Sequence, residues 1–180
     1  ILEFNIKDRI KPDAKILLIK LRSIGDVVYN TAVYSPIKKH LPNAQLTVLV
    51  ESASYEIVKN HPDVDEVLCF KKGSFFEQVK FYLNLIWSRY DVAIDMHEGT
   101  RGAVMCFLSF ARFKIGGKFA RRSFLYNTKI NFSDLKPAIP LDYQVALISK
   151  LGVPFENPQP IIHVSDAWRK SAHDLLISKN

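Results

Sequence analysis

Short apolar runs alternate along this chain with segments that have helical spacing of apolar residues. Strands are predicted from Ala14 onward and over Gln45–Glu51, Val64–Phe70, Asp91–Met96 and, less regularly, Ser123–Asn131. Helices are predicted over Val27–Leu41 despite Pro36, Ser54–Asn60, Phe75–Tyr90, a segment after Gly102, Leu141–Leu151 and Ala167–Lys179. This alternation is typical of an α/β protein with a parallel sheet covered by helices.

Three segments have a distinct pattern. Apolar residues within Phe75–Tyr90 recur at helical spacing, which predicts that one face of this helix is buried on the sheet; they are Val79, Tyr82, Leu83, Ile86 and Trp87. The stretch from Lys136 to Pro140 is predicted to be a loop, and Val153–Pro160, with three prolines, resembles a linker.

Polar residues follow the first predicted strand directly. In open α/β sheets the loops at the carboxyl ends of strands face the ligand crevice, which makes Lys20, Arg22, Ser23 and Asp26 candidates for binding or catalysis. Gly25 has no Cβ, so the backbone there can turn tightly or approach a ligand closely. Asp26 falls near a helix start, where a carboxylate is also a common cap, so a purely structural role stays open.

A second polar junction follows the fourth predicted strand, in the run His97-Glu98-Gly99-Thr100-Arg101-Gly102. Glu98, Thr100 and Arg101 supply groups that hold hydroxyls or anions at a helix start. His97 is a candidate for ligand contact, although an isolated histidine often has a structural role.

Composition favours one unit with its own core, since 180 residues with 48% hydrophobic content suffice without disulfides or metals. Cys69 and Cys106 lie in separate apolar segments, which predicts buried thiols in a reducing compartment. No apolar run is long enough to span a bilayer, and the first residues do not form a secretory signal. A cytoplasmic location is therefore the simplest expectation.

The formal net charge of +7 and the pI near 9.4 favour an anionic partner. Six basic residues fall in one interval of the chain: Arg101, Arg112, Lys114, Lys118, Arg121 and Arg122. Phosphorylated glycans, acidic lipids and nucleic acids all fit, and so does a solvated basic face with no specific ligand. Because helix-turn-helix and RNP patterns are absent, nucleic acid is not expected.

The motifs of several enzyme classes are missing. The first strand is not followed by GxGxxG, and no GxxxxGK[ST], zinc-ligand spacing or GxSxG occurs. Glu51 ends the second strand, where a nicotinamide enzyme would carry an acidic residue, but the glycines of that site are not present. No metal site is predicted.

Four runs together resemble the lipopolysaccharide core heptosyltransferases. In that family an S-x-G-D turn joins the first strand and the first helix, and the opening of the family is similar to the run KILLIKLRSIGDVVYNTAVYSPIKKHLPNAQLTVLVE. Its later elements are similar to three further runs: SASYEIVKNHPDVDEVLCF, YDVAIDMHEGTRGAVM and LDYQVALISKLGV. The resemblance covers nearly all of the chain after Lys11.

This resemblance implies a GT-B glycosyltransferase whose N-terminal domain is Rossmann-like, with helices on both faces of the sheet. Residues 1–13 would be a lead-in, 14–152 the acceptor-binding domain, and 153–180 a linker with the start of a missing domain that binds the nucleotide sugar. The chain is then expected to be a truncated enzyme or an N-terminal fragment, inactive by itself.

The family's reaction transfers heptose from ADP-heptose to the lipopolysaccharide inner core with inversion. The carboxylate of the S-x-G-D turn acts as general base, and Asp26 matches it. The diphosphate leaves as a stabilised anion, so no second carboxylate is required, in contrast to glycoside hydrolysis. No cofactor is expected. The residues predicted to bind the anionic acceptor are Lys20, Arg22, Ser23, Gly25, Thr100, Arg101, Arg121 and Arg122.

The pattern departs from the family in two places. The HEGTRG loop does not align residue by residue, and Ile139 stands about where many members carry a histidine, which leaves the acceptor and the sugar open. Two alternatives remain: a non-catalytic module for anionic glycan or lipid, and a dinucleotide-binding enzyme. Peripheral contact with the inner face of the inner membrane is a hypothesis that rests on the charge and the lipid-linked acceptor.

Overall fold

The described part of the chain folds around one six-stranded sheet. The structure, a computed structural model, describes residues 6–132 and 139–178. The strands are β1 (Lys15–Ile19), β2 (Gln45–Glu51), β3 (Glu66–Phe70), β4 (Val92–Asp95), β5 (Phe113–Gly117) and β6 (Thr128–Ile130). They lie in the order β3-β2-β1-β4-β5-β6, and every neighbouring pair is parallel. This is the strand order of a Rossmann-like sheet, and the predicted fold class is confirmed.

The described residues form seven α-helices, of which the first six pack on the sheet and the seventh has no buried residue. They are α1 (Ile24–Asn30), α2 (Tyr34–His40), α3 (Tyr55–Val58), α4 (Phe75–Trp87), α5 (Thr100–Leu108), α6 (Pro140–Ser149) and α7 (Asp166–Ser178). Short 3₁₀ turns lie between several of them. The predicted start of α7 is confirmed, since the Ser165 hydroxyl accepts the backbone N–H of Trp168 at 3.3 Å.

Two apolar clusters, one on each face of the sheet, form the core. On one face, residues of α1, α2, α3 and α6 pack against Ile16, Leu18 and Val48. On the other face, residues of α4 and α5 pack against Leu17, Ile19 and Leu49. Neighbouring strand residues thus enter opposite clusters, as the two-residue period of a strand requires, and the central strands are buried on both sides.

The prediction of one helix over Val27–Leu41 is wrong. The structure has two helices, α1 and α2, joined by a 3₁₀ turn at Thr31–Val33. Pro36 has no backbone N–H to donate to the carbonyl four residues earlier, so inside one long helix it would break a hydrogen bond and kink the helix, whereas it fits in the first turn of α2.

The predicted buried face of α4 is also wrong for Val79, Leu83 and Trp87, which are exposed. The residue that α4 buries fully is Leu85, with Phe81 and Tyr82 partly buried beside it. Helix α4 has apolar residues on two sides, and the spacing of these residues alone did not show which side faces the sheet.

The segment after α5 differs from the prediction as well. The β5 strand was not predicted, and the strand predicted over Ser123–Asn131 is limited to Thr128–Ile130, preceded by a 3₁₀ turn. Cys106 is buried as predicted, whereas Cys69 is only half-buried. Part of the predicted Lys136–Pro140 loop lies outside the described residues.

Candidate active site

The β1–α1 junction brings a carboxylate and an ammonium group together at the carboxyl end of the central strand. The Nζ of Lys20 lies 3.2 Å from Oδ2 of Asp26 and donates to the carbonyl of Met96 at 3.0 Å. The Lys20 side chain is 10% exposed and that of Asp26 is 37% exposed. The lysine is therefore fixed between two strands, while the carboxylate remains accessible from solvent.

Asp26 also caps α1. Its Oδ2 accepts the backbone N–H of Ser23 at 3.4 Å, and Ser23 is the N-cap residue of the helix. The structural role that the sequence left open is thus real, and it coexists with the ion pair. The same carboxylate supports the helix and faces a ligand-sized space.

Gly25 lies in the first turn of α1 and is exposed. A Cβ built at this position would meet no other described atom within 4 Å. Nothing in the described fold therefore requires a glycine here, and the open space beside Asp26 is what close approach by a ligand would need.

A cleft of about 360 Å³ opens at this junction. Its walls come from β1, α1, the loop after β4 and the first turns of α6. The lining residues are Lys20, Asp26, Met96, His97, Glu98, Ile139, Pro140, Tyr143, Gln144 and Leu147. A space of this size, lined mainly by apolar side chains on the α6 side and by charged groups on the other, is large enough for a small-molecule ligand.

The second predicted junction forms the opposite wall of the cleft. Asp95 is fully buried, and its carboxylate accepts the backbone N–H groups of His97 and Glu98 and the hydroxyl of Tyr126, the last at 2.6 Å. Burial raises the pKa of Asp95 to about 6, and these hydrogen bonds oppose the increase. Through its hydrogen bonds to His97 and Glu98, Asp95 holds the loop after β4 in place.

Glu98 takes an uncommon backbone conformation, with φ of 55°. Residues other than glycine in this region cost about 1–2 kcal/mol, and such strain is frequent at functional sites. Burial raises the pKa of Glu98 against the opposing charge of Lys20, and burial followed by the charges of Lys20 and Arg22 lowers the pKa of His97. A Cβ on Gly117 would clash with the Glu98 carboxylate, so this glycine makes room for it.

A buried polar network connects the cleft to the rest of the fold, and it was not predicted. The Asn30 amide donates to Oε1 of Gln144 at 2.7 Å and accepts the Tyr34 hydroxyl at 2.8 Å. Gln144 in turn donates to the backbone carbonyl of Asp26 at 3.4 Å. The network fixes α6 against α1 and therefore fixes the wall that Tyr143 and Gln144 give to the cleft. Their helix lies more than a hundred residues from Asp26 in sequence, so no local motif indicates it.

Other predicted residues lie beside the cleft instead of lining it. Arg101 donates to Glu51 at 2.6 Å and stacks over Phe70, and the Nε of Arg22 lies 3.9 Å from the same carboxylate. Glu51 therefore pairs with two arginines. Thr100 is exposed at the first position of α5.

Arg121 lines a neighbouring space of about 480 Å³, whose walls include Glu98 and Tyr143. The two spaces share these two residues and so adjoin. Arg122 is exposed in the same segment but lines neither space. Of the predicted residues, the structure thus brings Lys20 and Asp26 together in the cleft, with Arg121 at its extension.

Two searches of the described residues gave negative results. Across 6–132 and 139–178, no group of three or more His, Cys, Asp or Glu side chains is arranged to hold a metal ion. In the same ranges no helix has the length and hydrophobicity that crossing a membrane demands.

The chain is similar in sequence to lipopolysaccharide heptosyltransferases, and the predicted resemblance is confirmed. It is 23% identical over 165 residues to lipopolysaccharide heptosyltransferase 3 of Escherichia coli K12, a match that covers 86% of this chain and 48% of that protein. No family model matches the chain. The chain spans between a third and a half of the length of the curated relatives it matches, 36% and 48% in two cases.

Solved structures share the fold. A glycosyl transferase family 9 structure from Veillonella parvula superposes with a TM-score of 0.78 at 20% identity, over 92% of this chain and 49% of that one. Escherichia coli heptosyltransferase WaaC, solved with ADP-2-deoxy-2-fluoro heptose, superposes with a TM-score of 0.68 at 21% identity, over 81% of this chain and 51% of that one.

Proposed function

We propose that this chain is the acceptor-binding half of a lipopolysaccharide heptosyltransferase, an inverting enzyme that transfers heptose from ADP-heptose to the inner core. The observation that carries the proposal is the accessible carboxylate of Asp26, 3.2 Å from the buried ammonium of Lys20, in a cleft at the carboxyl ends of β1 and β4. The sequence similarity to heptosyltransferases supports the choice of reaction.

The proposed step replaces one carbon–oxygen bond with another and moves one proton. An acceptor hydroxyl oxygen attacks the anomeric carbon of the donor, the bond from that carbon to the diphosphate breaks, and ADP leaves with the electron pair. Asp26 takes the hydroxyl proton. A positioned general base contributes about 10²- to 10⁴-fold to such a step. A diphosphate needs no proton to depart, so the step requires only the Asp26 carboxylate, held next to Lys20.

Lys20 has two tasks in this proposal. It holds Asp26 through the ion pair, and its remaining donor capacity is available to an acid group of the acceptor. Ser23 positions Asp26, and Gly25 lets the acceptor approach. The anionic part of the acceptor extends toward Arg121 through the adjoining space.

Four further predicted contacts remain proposals: Arg22, Thr100, Arg101 and Arg122. Arg22 and Arg101 pair with Glu51 in the structure, so an acceptor would have to share them with that carboxylate.

The division into domains remains part of the proposal: 1–13 as a lead-in, 14–152 as the acceptor domain, and 153–180 as a linker with the start of a domain that binds ADP-heptose. The exposed apolar side chains of Leu175, Leu176 and Ile177 on α7 support it, because they need a partner. The site of action is then the cytoplasmic side of the inner membrane, in peripheral contact with it.

The competing classes fit the geometry less well. In a dinucleotide-binding enzyme Glu51 would bind ribose, but here it pairs with Arg22 and Arg101. A non-catalytic module for anionic glycan would use the same basic residues without needing the Asp26 carboxylate. The binding and transfer experiments below separate these classes.

The first test is an NMR titration of the chain with a delipidated inner-core oligosaccharide that contains Kdo, with ADP-heptose and NADH as comparison ligands. Shifts centred on residues 20–26 and 97–102, together with Tyr143 and Gln144, are expected for the oligosaccharide alone. A response of the same residues to NADH, with none to the oligosaccharide, would overturn the proposal.

The second test replaces Asp26 with Asn and measures binding and transfer separately, with the chain joined to a donor-binding domain. Asn keeps an oxygen for the Ser23 N–H but cannot take a proton, so transfer should fall about 10²- to 10⁴-fold while acceptor affinity is unchanged. Glu77→Gln is the matched control, because Glu77 caps α4 in the same way far from the cleft. If the two changes affected transfer equally, the role of Asp26 would be limited to capping α1.

A further inference from the structure

Helix α4 carries a row of large apolar side chains that the fold does not cover. Phe75, Phe76 and Trp87 are 74%, 81% and 71% exposed, and Val79 and Leu83 are exposed between them. At 3.6 residues per turn these five residues occupy about 120° of the helix surface. We call them the α4 apolar stripe.

The stripe is separate from the side of α4 that holds the helix on the sheet. Leu85 is buried, and Phe81 and Tyr82 pack against Phe70. The stripe therefore takes no part in the hydrophobic core. An exposed row of aromatic and aliphatic side chains of this extent indicates a surface that binds a partner.

Positive charge accompanies the stripe. Between residues 71 and 90 the chain has one acidic residue, Glu77, and four basic residues: Lys71, Lys72, Lys80 and Arg89. The Glu77 carboxylate is occupied by the N-cap of α4, where it accepts the Ser74 backbone N–H at 2.7 Å.

The same side of the sheet carries the basic interval between residues 100 and 125, which has six basic residues and no Asp or Glu. Helix α5 and Leu125 pack in the same apolar cluster as α4, which places both ends of this interval on that side, while Phe119 and Arg121 line the space beside Tyr143. Exposed rings, Phe119 and Phe124, alternate there with Lys118 and the two neighbouring arginines.

The opposite side carries little net charge. Residues 24–40 and 52–60, which cover α1, α2 and α3, contain three lysines and two acidic residues, Asp26 and Glu56. Glu51 does not count toward this side because it pairs with Arg101 of α5. Among these segments, most of the excess positive charge thus lies on the side that carries the α4 apolar stripe.

We infer that this side binds the surface of an anionic lipid bilayer, with the α4 apolar stripe inserted among the headgroups and acyl chain ends. Helices that lie in a membrane interface combine Phe, Trp and Leu on one side with Lys and Arg beside them, and aromatic rings favour the interfacial region. Each lysine near an anionic leaflet adds to the attraction. A second protein chain would not require the excess of positive charge.

The position of the stripe suits the proposed acceptor. Helix α4 begins just after the carboxyl end of β3, and the Asp26 cleft lies at the carboxyl ends of β1 and β4, so Phe75 and Phe76 lie at the same edge of the sheet as the cleft. The inference extends the membrane contact in the proposed function. Its test contains no sugar, so its failure leaves the proposed transfer untouched.

The experiment measures sedimentation of the 180-residue chain with phosphatidylcholine vesicles that contain or lack about 30% phosphatidylglycerol. Binding to the anionic vesicles is expected, with loss of most of it near 1 M salt, where the Debye length falls to about 3 Å. Absence of binding, or equal binding to neutral vesicles, would overturn the inference.

Variants locate the surface. Phe75→Ser with Phe76→Ser should weaken binding roughly tenfold per ring, and Lys71→Gln with Lys72→Gln about fivefold per charge. All four residues are exposed, so the fold should tolerate the changes. Matched controls on α7 are Leu176→Ser with Ile177→Ser, at residues 68% and 61% exposed, and Arg169→Gln with Lys170→Gln.

Two results would contradict this assignment. The first is equal weakening by the α4 and α7 variants, which would show that exposed apolar or basic residues act wherever they lie. The second is self-association of the chain, measured by analytical ultracentrifugation, that disappears in the Phe75 and Phe76 variant without any vesicle binding by the unmodified chain. In that case the stripe would be an interface between copies.

Discussion

At the scale of single residues, the site depends on where each charge is buried. Lys20 is nearly enclosed, and its ammonium group is compensated by Asp26 and the Met96 carbonyl. Asp95 is fully enclosed and compensated by hydrogen bonds alone. The first arrangement leaves the partner carboxylate accessible to a ligand, and the second serves only to hold the loop after β4.

Gly25→Ala should separate folding from binding. A methyl group at this position meets open space, and alanine is favoured over glycine in a helix, so stability should stay constant or rise by up to about 1 kcal/mol. Affinity for the inner-core oligosaccharide should fall about tenfold, since the methyl group would occupy space beside Asp26. Urea unfolding and isothermal titration of the same variant measure the two effects, and unchanged affinity would remove Gly25 from the acceptor site.

Asp95 should give the stability a defined pH dependence. Its pKa is raised by burial to about 6, so between pH 4 and 6 the folded protein holds a proton that the unfolded chain has released. The contribution of Asp95 to stability therefore declines as the pH rises through this window, by about 3 kcal/mol. Asp95→Asn should abolish this decline in urea unfolding measured from pH 4 to 7.

A difference between the unmodified chain and the Asp95→Asn variant that stays constant with pH would contradict this. Tyr126→Phe provides a directional check, because loss of its hydroxyl removes a hydrogen bond that lowers the Asp95 pKa. In that variant the decline should shift to higher pH.

At the scale of elements, the contact between α1 and α6 makes the cleft. The two helices meet through the amides of Asn30 and Gln144, and Gln144 reaches the carbonyl of Asp26. Directional polar contacts of this kind fix one relative position of two helices more strictly than apolar packing does. Asn30 and Gln144 therefore fix the position of the wall that α6 gives to the cleft.

Asn30→Ala should lower both stability and acceptor affinity. The change removes the hydrogen bonds of Asn30 to the buried Gln144 Oε1 and Tyr34 hydroxyl, at a cost of about 1–3 kcal/mol, or a fall in Tm of roughly 2–4 °C per kcal/mol. Asn84→Ala on the exposed side of α4 is the control and should stay within about 0.5 kcal/mol. Differential scanning calorimetry measures both, and equal effects would show that the network is not structural.

At the scale of the whole molecule, the proposed transfer requires that the donor and the acceptor be held at fixed positions relative to each other. If the donor binds to a second domain, the 180-residue chain has no means to hold ADP-heptose against the hydroxyl, and the gain from proximity is lost. We expect no heptose transfer when the chain alone is incubated with ADP-heptose and a Kdo-containing acceptor. Mass spectrometry of the acceptor measures this, and a complete heptosyltransferase serves as the positive control. Turnover by the chain alone would contradict the proposed division into domains.

The sequence by itself determined the class of fold and the position of Lys20 and Asp26 at the end of the first strand. Alternation of apolar runs with helical patterns is a local property, and so is the placement of Lys20 and Asp26 around a strand end. Both were predicted correctly because burial on both faces of a central parallel strand leaves a recognisable apolar run. The resemblance to heptosyltransferases was likewise recognisable in continuous stretches of sequence.

The tertiary structure alone decided which surfaces meet. It turned Arg101 toward Glu51 and brought Gln144 beneath Asp26 from a distant segment. It also decided which of the two apolar sides of α4 faces the sheet, leaving Trp87 exposed. Periodicity shows that a helix has an apolar side, but only packing against the other elements determines which side is buried and which remains free to bind a partner.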